Sequence, residues 1–175
     1  MLRLQLVFYF MKWGDNVVFI GKVVSTHGIK GEIKILSSFE FKNKVFQVGG
    51  EIIIDNQPYK IKSYRVHKKF DMITLDGFNN INDVLFLLKQ KVFIKKELLE
   101  LSGNEVLDED LISFNVLTTE GKKGIIKEIF YASENNKVLR VLIDEQQVLI
   151  PYFSPFVKDI DKEKRQILIE ILKGM

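Results

Sequence analysis

Short runs of β-branched and aromatic residues, separated by Gly, Asn and Asp, recur along the chain from Val17 onward. This spacing favours a β-sandwich or a β-barrel, because each run is long enough for one strand and each break supplies turn residues. In one run Ile33 and Ile35 alternate with Glu32 and Lys34, so one face can be buried while the other meets solvent. We therefore predict an all-β fold.

The candidate strands fall into two groups, one on each side of residue 100. The first group covers residues 17–24, 32–36, 51–55, 59–66, 72–75 and 91–95. The second group covers residues 114–118, 124–130, 137–144, 147–151 and 166–172. Two such groups predict two small β-barrels, the second of a half-open kind.

One helix is predicted among the strands of the first group. Asn80 is a suitable N-cap, and apolar residues follow at i, i+3, i+4 and i+7, namely Ile81, Val84, Leu85 and Leu88. We expect this apolar stripe to pack in the core and the helix to cover one barrel end.

Charge divides the chain into two parts of opposite sign. Residues 1–100 carry 16 Lys/Arg against 10 Asp/Glu, a net charge of +6, whereas residues 101–175 carry 10 against 13, a net charge of −3. A basic part suits a phosphate-facing surface, and an acidic part suits a basic protein partner. Because acidic residues accumulate after Lys96, we predict a first barrel over 17–97, a linker over 98–110 and a second barrel over 111–175. The linker is either a solvated acidic loop or a partner contact.

The first 16 residues contain an apolar run that is too short to span a bilayer, which takes about 20 residues. No small-residue cleavage site follows it before Lys12 and Asp15. We expect residues 1–16 to be an extension or the product of a mis-assigned start, with Met11 as the other candidate start and a signal sequence as the alternative. The absence of cysteine suits a reducing cytoplasm and excludes thiol catalysis.

Three glycines mark the most specific segment, which runs from residue 19 to residue 34. We predict structural turn roles for Gly21, Gly28 and Gly31, where positive φ or close backbone approach is needed. A strand follows the last glycine, whereas a phosphate-binding loop requires a helix there. A nucleotide-binding loop is therefore not expected.

A second constellation places cations and tyrosines on one predicted strand and the turn after it. It comprises Lys60, Lys62, Tyr64, Arg65, His67, Lys68 and Lys69. Charge on both strand faces predicts an edge strand or a protruding hairpin, whose cations can reach phosphates while Tyr64 offers a stacking surface. Edge protection by lysines is an equal alternative.

Catalysis finds little support in the sequence. His27 or His67 could act as a general base with a neighbouring carboxylate. The motif spacings of metal sites and nucleophile elbows do not occur, and a turn position gives His27 a sufficient structural role. We predict no catalytic residue, no metal and no cofactor; a hydrolase that uses His27 is the enzymatic alternative.

The glycine segment resembles the opening signature of the RimM family of ribosome maturation factors. The matching residues are Gly21, Thr26, His27, Gly28, Gly31 and Glu32, and later segments at 136–139, 148–151 and 156–161 resemble the family's second domain. The resemblance implies a first barrel like that of translation factors, a PRC-type second barrel, and binding to the maturing small (30S) ribosomal subunit. The implied partners are head-domain 16S ribosomal RNA and a small-subunit head protein, the S-nineteen protein, with no catalytic step.

With this resemblance we expect two contact surfaces on a cytoplasmic monomer. RNA or ribosome contacts are expected from Thr26, His27 and Lys30 together with the strand constellation above. Protein contacts are expected from Val106, Leu107, Asp108, Pro151, Tyr152 and Phe153.

The chain departs from the family pattern where the second domain opens. Val106 and Leu107 stand where members carry an aromatic pair, and Ser113 replaces a glycine. Paired tyrosines give rigid amphipathic anchors that Val and Leu cannot copy, which leaves the partner contact open. The other function that we consider is a PRC-barrel adaptor docked on a membrane-associated complex, although we expect no membrane contact.

Overall fold

The structure is a computed structural model that describes residues 16–112, 114–133 and 136–172. The chain divides into two compact units between Glu100 and Leu101, which lie inside the expected linker. The predictions for the segment before Asn16 and for Ser113 lie outside the described residues. No described helix is long and apolar enough to cross a membrane.

The first unit is a closed barrel of six strands in the order β1-β2-β5-β4-β3-β6. Its strands are β1 (Val17–His27), β2 (Glu32–Leu36), β3 (Glu51–Ile54), β4 (Gln57–His67), β5 (Phe70–Leu75) and β6 (Lys91–Lys95). A helix α1 (Lys42–Val45) and two 3-10 helices (Ile81–Leu87 and Lys96–Leu98) accompany them. Inward-facing isoleucines such as Ile33, Ile35 and Ile73 are fully buried, as the alternating pattern predicts.

The helix predicted after Asn80 is present, but it is a 3-10 helix. Asn80 caps it by accepting a hydrogen bond from the backbone N–H of Asn82, and the Asp83 carboxylate accepts one from the Asn80 N–H. Val84 and Leu87 are buried, whereas Leu85 is 46% exposed. The prediction that Leu85, at i+4, packs in the core is wrong. A 3-10 helix has three residues per turn, so residues three apart, such as Val84 and Leu87, share the buried face.

The second unit is a six-stranded sheet in the order β10-β9-β8-β7-β12-β11. Its strands are β7 (Asn115–Thr118), β8 (Lys123–Tyr131), β9 (Lys137–Ile143), β10 (Gln146–Pro151), β11 (Val157–Asp161) and β12 (Gln166–Ile169). Strand β12 pairs in parallel with β7, and the other pairs are antiparallel. The sequence pattern predicts five of these strands and misses β11, in which Lys158 and Asp159 are both exposed.

Part of the expected linker belongs to the second unit's core. A short helix α2 (Asp108–Leu111) follows Val106 and Leu107, and Val106, Leu107 and Leu111 are all buried. Val106 and Leu111 pack with residues of β7, β8, β9 and β12. The acidic residues of 108–110 are therefore held on a packed helix and not on a free loop.

Candidate nucleic-acid interface

The two turn glycines that the sequence singles out shape the β1–β2 connection. Gly28 and Gly31 have φ of 62° and 75°, a region that favours glycine. A Cβ on Gly31 would lie 3.0 Å from the backbone oxygen of Asn80, and the Ile81 N–H donates to the Ile29 carbonyl at 3.0 Å. The turn is therefore seated against the start of the 3-10 helix.

Gly21 has a different role from the predicted turn. It lies inside β1 at a register shift, and a Cβ there would lie 2.8 Å from the Leu36 backbone oxygen and 2.9 Å from Cγ2 of Ile35. Close approach between β1 and β2, and not a turn, is what requires glycine here. Strand β1 also continues to His27, beyond its predicted end.

The outer faces of β2, β5 and β4 carry side chains in register across three strands. Lys34 pairs with Met72, which pairs with Arg65, and Phe70 pairs with His67. His27, at the end of β1, pairs with Glu32 of β2. We call this surface the histidine face; its members are His27, Glu32, Lys34, Arg65, His67, Phe70 and Met72.

Two contacts cross the histidine face diagonally. The Arg65 guanidinium donates to both carboxylate oxygens of Glu32, at 2.8 and 2.5 Å, and this bond raises the pKa of Arg65. The rings of His27 and His67 stack with centroids 6.3 Å apart and planes 28° apart. Register places Glu32 only two residues from the row of Arg65, whereas it places His27 and His67 at opposite ends of the paired strands, so register alone does not predict the ring contact. Met72, which pairs with both Lys34 and Arg65, is fully buried.

Cations surround the histidine face. Lys34 Nζ and Lys69 Nζ lie 5.9 and 5.7 Å from the centroid of the Phe70 ring, and Lys68 occupies the β4–β5 turn with φ of 54°. Of the two acidic residues in the strand segments 25–36 and 63–72, Glu32 is bonded to Arg65 and Asp71 is buried inside the barrel. The exposed charge of this surface is therefore positive.

Tyr64 does not offer the stacking surface that the sequence pattern predicts. Its ring stacks on the buried Phe46, with centroids 6.0 Å apart, and its hydroxyl donates to Asp71 Oδ1 at 3.0 Å. Burial, and then the hydrogen bond to Asp71, raises the pKa of Tyr64 to about 12. Lys42 Nζ lies 3.2 Å from the other carboxylate oxygen of Asp71. Tyr64 is therefore half-buried and belongs to a polar cluster around the buried Asp71.

Strand β4 has two pairing partners along its length. Residues 57–60 pair with β3, and residues 61–67 pair with β5. Residues 62–67 therefore pair with a single described strand, which agrees with the predicted edge strand or hairpin. Lys62 donates to Asn79 Oδ1 at 2.9 Å, and Lys60 pairs in register with Glu51. Lys60 and Lys62 therefore lie beside Glu51 and Asn79, away from the histidine face. The other predicted cations lie on or beside the histidine face, namely Arg65, His67, Lys68 and Lys69.

The remaining first-unit candidates lie in or beside the β1–β2 turn. Lys30 is exposed in the turn, whereas Thr26 pairs with the buried Ile33 and is only half-exposed. Within the described ranges, no group of three or more His, Asp or Glu side chains could hold a metal ion.

The predicted protein-contact residues of the second unit divide into two sets. Val106 and Leu107 pack in the core and offer no surface to a partner. Asp108 Oδ1 lies 2.7 Å from Nζ of Lys137, whose ammonium is 4.4 Å from the centroid of the Tyr152 ring. Tyr131 donates to the other oxygen of Asp108 at 2.8 Å. Asp108 and Tyr152 are therefore joined through a buried lysine that the sequence pattern did not mark.

Beyond Tyr152 the chain becomes exposed. Phe153 is 51% exposed and packs edge-on against Phe156, with centroids 5.4 Å apart. Pro151 ends β10 and is half-buried. Leu149, on the same edge strand, is 47% exposed. This edge is an apolar surface next to the acidic helix α2.

Two family patterns together cover nearly the whole chain. The RimM N-terminal domain matches residues 18–99, and the PRC-barrel domain matches residues 103–175. A ribosome maturation factor RimM of Staphylococcus saprophyticus is 38% identical over 164 residues, which cover 89% of this chain and 96% of that protein. A protein of the same name from Exiguobacterium sibiricum is 35% identical over 170 residues, 94% of this chain and 98% of that one.

Among solved structures, a 16S ribosomal RNA processing protein RimM from Pseudomonas aeruginosa is similar with 21% identity and a TM-score of 0.44, covering 91% of this chain and 99% of that one. The family patterns and the curated relatives agree with the motifs in both units. The chain belongs to the RimM family.

Proposed function

We propose that this chain binds the maturing small (30S) ribosomal subunit as a cytoplasmic monomer and assists 16S ribosomal RNA processing and folding of the head domain, without catalysing a reaction. Its curated relatives carry the name ribosome maturation factor. The observation that carries the proposal is the positive surface of the histidine face and its turn lysines, because phosphate contacts need unneutralised cations.

The second unit supplies the contact to a basic ribosomal protein in this proposal. Helix α2 carries Glu109 and Asp110 beside Asp108, which is paired with Lys137; Phe153 is exposed, and residues 101–175 carry a net charge of −3. An apolar anchor beside negative charge suits a cationic protein surface, for which the small-subunit head protein S-nineteen is the candidate.

The mechanism is positional. A bound protein shifts an RNA folding equilibrium only by its differential affinity for the two arrangements. Binding a partly folded head therefore favours the contacted arrangement, and release follows when the mature subunit no longer offers the site.

Cosedimentation with small subunits tests the proposal. Wild-type protein should sediment with immature subunits and less with mature ones. The double variant Lys68→Ala/Lys69→Ala should weaken binding about tenfold or more at physiological salt, and it should lower the slope of log affinity against log salt by about 1.5, since each phosphate contact contributes about 0.7–0.9.

A charge-matched control comes from the second unit. Lys122→Ala/Lys123→Ala removes two adjacent exposed lysines at the start of β8 and should leave the salt slope unchanged. Equal affinity for immature and mature subunits, or equal losses in the two double variants, would overturn the proposal.

A further inference from the structure

We infer that the histidine face binds unpaired RNA nucleotides, with the stacked imidazoles of His27 and His67 as a platform for a base. This inference rests on the proposed function and specifies the RNA class that the first unit would recognise. It depends on the meeting of two exposed histidines that are distant in sequence, and on what surrounds them.

The two imidazole rings form a stacked pair. The centroid distance of 6.3 Å and the angle of 28° lie within the range in which aromatic rings associate face to face. Both histidines are exposed, so the stack has ring surface open to solvent. A nucleobase presents a π-face to any such platform, and base stacking on aromatic side chains is tolerant of sequence.

An aromatic ring and two lysines accompany the two histidines on this face. Phe70, half-exposed, provides a further ring on the same face, below Lys34 and Lys69. The apolar residue Ile29, 78% exposed, lies in the adjoining β1–β2 turn. Aromatic rings interleaved with cations on a sheet surface are the combination that single-stranded nucleic acids use, bases on rings and phosphates on ammonium groups.

Paired RNA is not the preferred ligand of the imidazole platform. In a duplex the base faces are already stacked on one another, so only phosphates and ribose hydroxyls are available. The imidazole platform would then add nothing to affinity. An incompletely folded RNA segment offers free base faces, which gives the protein a physical means of distinguishing immature from mature RNA.

The test measures binding of the full chain to a fluorescein-labelled oligouridine of about 12 nucleotides and to an RNA duplex of the same length by fluorescence anisotropy. His67→Ala and His27→Ala should each weaken oligouridine binding about tenfold, the loss typical of one base stack. His67→Tyr, which keeps a ring, should bind within about twofold of wild type, whereas His67→Gln, which keeps polarity alone, should bind like His67→Ala.

Phe86→Ala is the matched control, because Phe86 is a 52% exposed ring of the same unit on the 3-10 helix and not on the histidine face. It should leave oligouridine affinity unchanged, and none of the histidine variants should change duplex affinity by more than about twofold. Wild-type oligouridine affinity in His67→Ala, a loss in His67→Tyr as large as in His67→Ala, or equal losses on duplex and oligouridine would overturn the inference.

Failure of the inference can be distinguished from failure of the proposed function. If the Lys68/Lys69 variant loses subunit binding while the histidine variants keep oligouridine affinity, only the stacking platform is refuted. If the Lys68/Lys69 variant keeps subunit binding, the proposed function itself is refuted.

Discussion

Removing the hydroxyl of Tyr64 should destabilise the first barrel, because this hydroxyl donates a hydrogen bond to the buried carboxylate of Asp71. Asp71, 2% exposed, accepts the Tyr64 hydroxyl at 3.0 Å on one oxygen and faces Lys42 with the other. A hydrogen bond to a charged group contributes about 1.5–3 kcal/mol, and the loss leaves a buried carboxylate oxygen without that donor. We expect Tyr64→Phe to lower the free energy of unfolding of the first unit by about 2 kcal/mol, roughly a 30-fold change in the equilibrium constant.

The assay is urea unfolding of the full chain by circular dichroism, with hydrogen exchange of β4 and β5 amides as the local measurement. Tyr64→Phe should increase exchange of these amides but leave those of β8 and β9, in the other unit, unchanged. The double variant Tyr64→Phe/Asp71→Asn should recover part of the loss, because a neutral amide costs less to bury than a carboxylate. Tyr59→Phe, on the same strand, is the control and should change stability by less than about 0.5 kcal/mol.

The burial of Tyr64, together with its bond to Asp71, predicts a pH dependence of known sign. The pKa of Tyr64 is raised from 10.0 to about 12 in the folded protein, so its stabilising contribution is complete below pH 10 and is lost as the pH rises through about 12. The stability difference between wild type and Tyr64→Phe should therefore narrow between pH 10 and pH 12. A difference that is constant across this range, or a Tyr64→Phe variant as stable as wild type at neutral pH, would refute the reasoning.

Two further perturbations address the second unit. Gly124→Ala should lower its unfolding free energy by about 2 kcal/mol in urea melts, because the new Cβ would lie 2.6 Å from a backbone oxygen of the neighbouring strand β9; an unchanged midpoint would contradict this. Asp108→Ala should lower the unfolding free energy by about 2 kcal/mol, because Lys137, 8% exposed, loses its carboxylate partner. The double variant Asp108→Ala/Lys137→Met should restore most of that stability. A double variant as unstable as Asp108→Ala would contradict the buried pair.

The strands and the two-unit organisation follow from local sequence patterns, which is why they are predicted well. Ile33 and Ile35 alternate with polar residues, and the positive φ of Gly28 and Gly31 follows from a turn between two strands. The patterns fail where tertiary context decides the environment. Gly21 looks like a turn residue, but a neighbouring strand requires it to be small.

The candidate site shows the same division more sharply. Cations near residue 68 are visible in the sequence, but the contact between His27 and His67 joins β1 to β4 across two intervening strands, and no local pattern encodes a contact of that range. The sequence pattern places Tyr64 on the surface, yet its hydroxyl donates to the buried Asp71 of β5. Asp71 lies two residues from Ile73, the register partner of Tyr64. The acidic run at 108–110 suggests a solvated loop because the buried Lys137 that binds Asp108 lies far along the chain.

The parallel pair of β7 and β12 has a consequence for the order in which the protein is completed on the ribosome. The first barrel closes once β6 has emerged, because β6 pairs with both β1 and β3. In the second unit β7 comes first but requires β12, Gln166–Ile169, as its neighbour. During synthesis, therefore, the basic barrel can fold as a unit while the acidic sheet still lacks β12, the strand that joins β7 to the edge strand β11.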